Sequence, residues 1–345
     1  MTTIRDVAAF AGVSSTTVSH IINNTRFVSE ETRKKVLDAI DELGYYPSKL
    51  AQGLANNNSR TIGVVFSDIT NPHFTQIFKG IEYVFQNLGY DLLVSNTSEN
   101  PDIQEQALTS LLAGSVNGLI IALTGFPSER LPLIKKKGLP VVLIDRNEPQ
   151  IGFPFVGVNN EKGAYEAVRH LFSDGHTRLG LILGLRHTTT TEERFNGFDK
   201  AHKEMGISYN PNHVYWGDYG IEAGYRGVVE LLNYDPRPTA IFCANNLMTL
   251  GALHAIRDLG LNCPDDIGLM GFDDHLWADI FNPPLTVVSQ PTFEMGVKAA
   301  QVLYQQIVEG VSEDIPNRIN FETKLIIRGS CSPACRQRYS KNGGV

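Results

Sequence analysis

Beyond Thr61 the chain alternates short, uniformly apolar runs with longer amphipathic stretches. The runs read TIGVVF, DLLVS, GLIIAL and LPVVLID, then LGLILG, TAIFCA, DIGLMGF and LTVVS. Strands apolar on both faces need cover on both faces, so the runs predict parallel sheets flanked by helices rather than half-solvated antiparallel ones. Between them, apolar residues recur at helical spacing over about 73–88, 102–113, 161–174, 192–204, 221–233, 247–259 and 293–309. The pattern predicts an α/β body over 61–330 with two parallel-sheet lobes, one from about 61–160 with 291–322, the other from about 161–290 with 323–330. In open sheets of this kind ligands collect beyond the carboxyl ends of the strands, which directs attention to the residues just after each run.

The first sixty residues follow a different rhythm. Thr3 and Asp6 form a capping-box pair, with Asp in place of the usual Glu or Gln, ahead of a stripe of Ile4, Val7, Ala8 and Ala11 that Gly12 ends. Ser14 is placed to cap a second helix, with Val18, Ile21 and Ile22 inward and Ser15, Thr16, Ser19, His20 and Asn23 outward. A third begins at Ser29, carries Glu30 and Glu31 in its first turn, buries Val36, Leu37, Ile40 and Leu43, and stops at Gly44. Two short helices joined through Ala11-Gly12-Val13 match an all-α helix-turn-helix over 1–46, a motif that offers the first outward residues of its second helix to base edges in the DNA major groove. Any small three-helix bundle also exposes hydroxyls at its helix starts, so the pattern alone leaves both readings open. Residues 47–60, PSKLAQGLANNNSR, form a linker in which Ser48 caps one more helix, too weakened by Gly53 and the Asn run to stand alone.

The formal net charge of −7, taken alone, argues against a polyanionic partner. Residues 1–60, however, carry seven Lys/Arg against six Asp/Glu, so the acidity belongs to the body. With a Debye length of ~8 Å at physiological salt, that body charge does not veto DNA binding by a separate module. Hydrophobic residues make up 42% and charged residues 19% of the chain, which excludes wholesale disorder. No apolar run approaches the ~18 residues of a membrane span and the start MTTIRDVAAF has no export-signal pattern, so a cytoplasmic protein without a membrane partner is expected. The four cysteines are too few for a disulfide framework. Cys331 and Cys335, in CSPAC, have no His or second Cys pair close by in sequence to complete a metal site, so the reading is no metal, no cofactor, and reduced thiols in a flexible tail over 331–345.

The stretch IRDVAAFAGVSSTTVSHIINNTRFVSEETRKKVLDAIDELGYYPSKLAQGLA resembles the headpiece of LacI/GalR-type bacterial transcriptional repressors over its whole length, and looks especially like the purine and ribose repressors of that family. The resemblance implies base reading by Ser15, Thr16 and His20. It assigns phosphate or neighbouring contacts to Thr3, Ser14, Ser19, Asn23, Thr25, Arg26 and Tyr45, with the 47–60 linker as a hinge helix in the minor groove that includes Ala51 and wedges Leu54 into the central base step. Ala55 follows Leu54 where the purine type has a basic residue, a departure that bears on affinity, because wedging needs only the apolar side chain.

From Arg60 to about Arg328 the chain is similar to the effector domain of the same repressors and to periplasmic sugar-binding proteins. The strand ends are SDITNPHF, SNTSENP, LIDRNEP, TTTTEERFNGF, GDYGIEAGY, CANNLMTLGA, GFDDH and VVSQPT. A buried sugar needs every hydroxyl satisfied. Asp145 and Asp273 only accept, Arg146 and Arg194 only donate, Asn71, Asn100, Asn245 and Gln290 do both, and Phe74, Tyr219 and Phe272 offer faces. The likeness to ribose-binding proteins aligns each type, and Ser67, with a matching strand end, while His73 replaces an aromatic face and points to a more polar ligand. The plain alternatives are a surface ion pair for Asp145-Arg146 and helix capping for Asp273-Asp274. Lys135, Lys136 and Lys137 read as a solvated helix end.

No nucleotide-binding glycine motif, zinc-protease motif or nucleophile elbow is found, so no enzyme is expected. The resulting expectation is a homodimeric repressor of a palindromic operator, controlled by a small sugar, best a pentose such as ribose. The alternatives are a purine- or nucleobase-responsive repressor, a sugar solute-binding protein, and a sugar-converting enzyme.

Overall fold

The computed structural model describes residues 2–23, 26–45, 59–114, 116–312 and 316–341. The chain forms two compact units, Met1–Arg60 and Thr61–Val345.

In the first unit, α1 (Ile4–Ala11), α2 (Ser15–Asn23) and α3 (Glu30–Glu42) enclose a core of Val7, Ala8, Val18, Ile21, Val36 and Ala39. Thr3 caps α1 in a full capping box with Asp6, and Gly12 ends it in the left-handed conformation at φ 66. The Thr17 amide donates to Ser14 Oγ at 3.0 Å, which fixes the start of α2. One expected core residue is wrong: Leu37 is 46% exposed, because the buried stripe of α3 runs through Val36, Ala39, Ile40 and Leu43 at i, i+3, i+4 and i+7 and Leu37 falls beside it.

The second unit holds two six-stranded sheets. The first, ordered β11-β5-β4-β3-β1-β2, contains β1 (Thr61–Phe66), β2 (Asp91–Asn96), β3 (Gly118–Ile121), β4 (Val141–Ile144), β5 (Phe155–Val158) and β11 (Arg318–Phe321). The second, ordered β12-β10-β9-β8-β6-β7, contains β6 (Leu179–Leu183), β7 (Val214–Trp216), β8 (Ala240–Cys243), β9 (Gly268–Phe272), β10 (Thr286–Ser289) and β12 (Lys324–Ile326). All pairs are parallel except β10 with β12. The helices are α4 (Pro72–Asn87), α5 (Pro101–Ala113), α6 (Arg130–Lys136), α7 (Asn160–Ser173), α8 (Thr189–Met205), α9 (Ile221–Leu232), α10 (Asn246–Asp258), α11 (Thr292–Glu309) and α12 (Pro333–Lys341). Each lobe thus has the order in which the chain reverses direction beside its first strand, between β1 and β3 and between β6 and β8, and clefts at such reversals hold ligands. Among the described residues, no helix is long and apolar enough to cross a membrane.

The 331–345 segment is not a free tail as far as it is described. Cys331 and Cys335 are fully buried against the second lobe, Cys331 just ahead of α12 and Cys335 in its first turn. Ser330 anchors the approach: its Oγ accepts from the Thr286 amide and its carbonyl accepts from Leu269 N at 2.8 Å. His170, on α7, stands against the same two thiols, a neighbour that sequence spacing hid.

Candidate functional site

Strand ends of both sheets converge on one cavity of about 90 Å³, lined by Asn71, His73, Phe74, Asp145, Arg146, Arg194, Tyr219, Asn245 and Asp273, with Asp68, Glu99, Thr190, Asp218 and Gly220. The volume suits a handful of waters or one small polar solute. Four lining residues hold left-handed backbones: Glu99 at φ 57, Asp145 at 68, Tyr219 at 71 and Asp273 at 77. Non-glycine residues adopt this conformation at a cost and concentrate it at binding sites. Asp145, Tyr219 and Asp273 each lie immediately or within three residues after a strand, so the abrupt turn aims the side chain into the cleft.

The charges are paired across the cavity. His73 Nε2 donates to Asp145 Oδ1 at 3.1 Å, and its Nδ1 lies 3.7 Å from Asp273 Oδ1. Burial alone drives the imidazole down, but Asp145, by hydrogen bond and charge, and Asp273 outweigh it and hold His73 above its ordinary value. Burial likewise pushes Asp145 up, yet His73, Arg146 and Arg194 hold its carboxyl below its usual range. The two directions agree on an ionised pair.

Arg146 forks onto Glu99 at 2.7 and 2.8 Å, donates to the Leu123 carbonyl at 2.9 Å, and lies over the Tyr219 ring at 4.7 Å. Arg194 donates to Asn160 Oδ1 at 2.9 Å and to the Ala244 carbonyl, with its guanidinium 3.8 Å from the Phe272 ring centre. The Tyr219 hydroxyl sits among those of Thr188, Thr190 and Thr191. Asn71 and Asn246 exchange amide hydrogen bonds of 3.1 and 2.6 Å, linking the start of α4 in one lobe to the start of α10 in the other. Four buried polar atoms here make no hydrogen bond, Ser67 Oγ, His73 Nδ1, Arg146 Nε and Gln290 Oε1, although His73 Nδ1 and Arg146 Nε each face a carboxylate at 3.7 Å. Such atoms are rare in folded proteins and mark places where an outside group completes the bonding.

Not every expected ligand residue reaches the cavity. Asn100 is exposed and caps α5, accepting from the Asp102 amide at 2.8 Å, while its neighbour Glu99 turns inward. Ser67 is wholly buried behind the wall, Phe272 serves as the plate under Arg194, and Gln290 donates to Asp273 at 2.5 Å from an adjoining cavity of about 520 Å³. Asp68, Glu99, Thr190, Asp218 and Gly220 line the cavity without having been expected. Glu99 and Asp218 look like ordinary surface acids in sequence, and Thr190 is one of four consecutive threonines with nothing to single it out.

In the first unit, Ser15 and Thr16 are exposed at the start of α2, and Ser19 and His20 are half-buried one turn on. Ser14 caps α2, Thr3 donates to Asp6 Oδ2 at 2.7 Å, Arg26 is exposed, and Tyr45 packs beside the headpiece core. Thr25, Ala51 and Leu54, with the side chain of Asn23, lie outside the described residues.

A helix-turn-helix unit and a two-lobed α/β body with a charged cleft define a ligand-responsive DNA-binding protein. The chain belongs to the lacI family: residues 3–48 match the family of bacterial regulatory proteins, lacI family, and residues 59–328 match periplasmic binding proteins and sugar binding domain of LacI family. It is 38% identical, over 96% of its length and 98% of the relative's, to the HTH-type transcriptional repressor PurR of Photobacterium profundum. It resembles the lac repressor dimer bound to operator and the anti-inducer ONPF, with TM-score 0.80 and 28% identity over 96% of this chain and 99% of that one. It also resembles a LacI family transcriptional regulator from Enterococcus faecium with bound ribose, with TM-score 0.71 and 25% identity over 79% and 99% of the two chains. The protein is accordingly a transcriptional repressor of this family with a DNA-binding helix-turn-helix domain.

Proposed function

We propose that this repressor acts in the cytoplasm as a homodimer on an operator of two-fold symmetry, and that a small ring compound in the cleft sets its DNA affinity. The carrying observation is the cavity at which four strained strand-end residues and two opposed charge pairs meet. A site of this kind is built for a polar solute that touches both lobes, and nothing in its chemistry calls for catalysis. Ser15, Thr16 and His20 are assigned to base edges, and Ser14, Ser19, Asn23, Thr25, Arg26, Thr3 and Tyr45 to the phosphates around them.

For the effector, the expected pentose gives way to a purine base as the leading reading. Similarity to PurR proteins extends over nearly the whole chain, and the cleft holds donors and acceptors that can bond the polar edges of a purine. Asp145 and Asp273 accept from ring N–H groups, Arg194 donates to a ring carbonyl, and Phe74 and Tyr219 supply aromatic surface. A pentose is the second reading, favoured by the excess of charged and amide groups over aromatic ones and by the ribose in the Enterococcus relative. Thermal unfolding with adenine, guanine, hypoxanthine and xanthine in one arm and pentoses in the other distinguishes them, since a ligand at 100 times its Kd stabilises by ~2.7 kcal/mol. A shift with a purine that is abolished by Asp273→Ala supports the leading reading. A shift with a pentose alone replaces it with the second, and no shift with either class removes the cleft as the site of control.

A further inference from the structure

Among the described residues, one cluster of metal-ligating side chains lies away from the cleft: His170, Cys331 and Cys335. Three parts of the fold assemble it. His170 stands in the last turn of α7, Cys331 ends the stretch that Ser330 anchors, and Cys335 lies in the first turn of α12, where its amide donates to Ser332 Oγ at 3.0 Å. Both cysteines are fully buried, and the His170 side chain is 9% exposed. One ligand atom from each lies within 4.8 Å of the other two, and His170 Nε2 is 3.8 Å from Cys335 Sγ.

We infer that His170 Nε2, Cys331 Sγ and Cys335 Sγ bind a soft divalent cation of the zinc class. Tetrahedral zinc, with Zn–S of about 2.3 Å and Zn–N of about 2.05 Å, sets its S···N edges at roughly 3.5 Å and its S···S edge at roughly 3.8 Å, so the cluster needs only small rotamer shifts to close on the ion. Two thiolates and an imidazole select zinc or cobalt(II) over calcium or magnesium, which prefer oxygen. Binding releases the thiol protons, including the one Cys335 now gives to the Arg328 carbonyl at 3.0 Å.

The surroundings support the ligands. Asp174, whose Oδ2 lies 3.7 Å from His170 Nε2, accepts from Ser332 Oγ at 2.8 Å and pairs with Arg338. Asp174 is thus engaged by Ser332 and Arg338 beside the imidazole, and a water completes the tetrahedron. His176 is taken up elsewhere, bonding the Cys331 carbonyl and Thr239. The site is structural: the metal fastens α12 to α7 through side chains 165 residues apart in sequence. The segment is otherwise held by apolar packing, by the Ser330, Ser332 and His176 hydrogen bonds, and by ion pairs such as Arg336–Asp265 at 2.8 Å.

The test uses the full-length protein, reduced, stripped with a chelator and titrated with cobalt(II), then with zinc(II). Expected are one metal per chain, a thiolate-to-cobalt charge-transfer band, tetrahedral visible bands that zinc bleaches, and a raised unfolding midpoint. Zinc also slows alkylation of Cys331 and Cys335 relative to Cys263 in mild denaturant, where burial alone no longer shields the two thiols, a readout that needs no variant. Cys335→Ser and His170→Gln lose the charge-transfer band or weaken metal binding at least tenfold while operator binding persists. Absence of the band, equal metal retention by both variants, or a Cys331–Cys335 disulfide in protein isolated under alkylating conditions overturns the proposal.

Discussion

At the scale of single residues, the cleft depends on charges whose state is set by their neighbours. His73 faces Asp145, Asp273, Arg194 and His275, and the carboxylates prevail. Because its folded value is raised, the stability it contributes is fully present below about pH 6.5 and is lost as pH rises through the folded value. Asp145 is depressed, so its contribution is present above about pH 3.9 and is lost as pH falls through the folded value. The pair is therefore at full strength between about pH 4 and 6.5. Unfolding midpoints of the wild type and His73→Gln, followed from about pH 5 to 9, are expected to converge at the alkaline end; a gap constant with pH means the pair is not ionised. Arg146 is bound differently, by a fork that leaves Glu99 satisfied inside the wall. Arg146→Ala strands that carboxylate and is expected to cost about 3–5 kcal/mol in denaturant unfolding. Most cleft residues could be read from sequence because carboxylates, guanidinium groups and amides stood directly after apolar runs. Glu99 could not, since only its left-handed backbone, invisible in sequence, makes it rather than Asn100 the inward residue.

At the scale of elements, the long helices and most strands were legible, including the edge strand β2 as the run DLLVS, whereas the edge strands β7, β11 and β12 and the interior β5 were not. The long helices begin and end within a few residues of the periodic stretches, because each has a continuous buried stripe. β7 and β12 have three residues each, and β11 alternates exposed with half-buried positions at a sheet edge, so neither length nor apolarity marks them. β5 is apolar but only four residues long, with Gly157 within it. Helix contacts were also hidden, because they depend on missing side chains. α9 and α10 approach so closely that a Cβ on Gly251 would lie 1.9 Å from the Ile221 carbonyl oxygen, and one on Gly224 2.0 Å from that of Met248. Backbone cannot yield as a side-chain tip does, so Gly251→Ala is expected to cost about 1–3 kcal/mol by overpacking. The measurement is urea unfolding of the variant, and a neutral result means that the two helices separate without penalty.

At the scale of the whole molecule, the question is how a solute in the cleft reaches DNA through a linker as short as residues 47–60. A ligand that touches both lobes favours the conformer in which both hold it, and it alters DNA affinity only as far as its own affinity differs between the operator-competent state and the other. Coupling of this kind is typically ~1–3 kcal/mol, which is roughly a 5- to 150-fold change in operator affinity. Linkage requires the reverse effect to be equal: operator DNA must change effector affinity by the same factor and in the same sense. We propose that the intermediate step lies in the linker, with Leu54 as the apolar minor-groove wedge that the resemblance to the family's headpieces implies. If hinge folding and groove insertion are one equilibrium, Leu54→Ala removes the part of operator binding that depends on base-step opening and spares the phosphate contacts that any DNA offers. Titrations of wild type and Leu54→Ala with operator and random duplexes, each with and without effector, are expected to show a large loss for operator, little for random DNA, and a reduced effector-dependent factor. An equal loss on both duplexes would place Leu54 among the general backbone contacts, and an unchanged effector factor would mean that the signal bypasses the wedge.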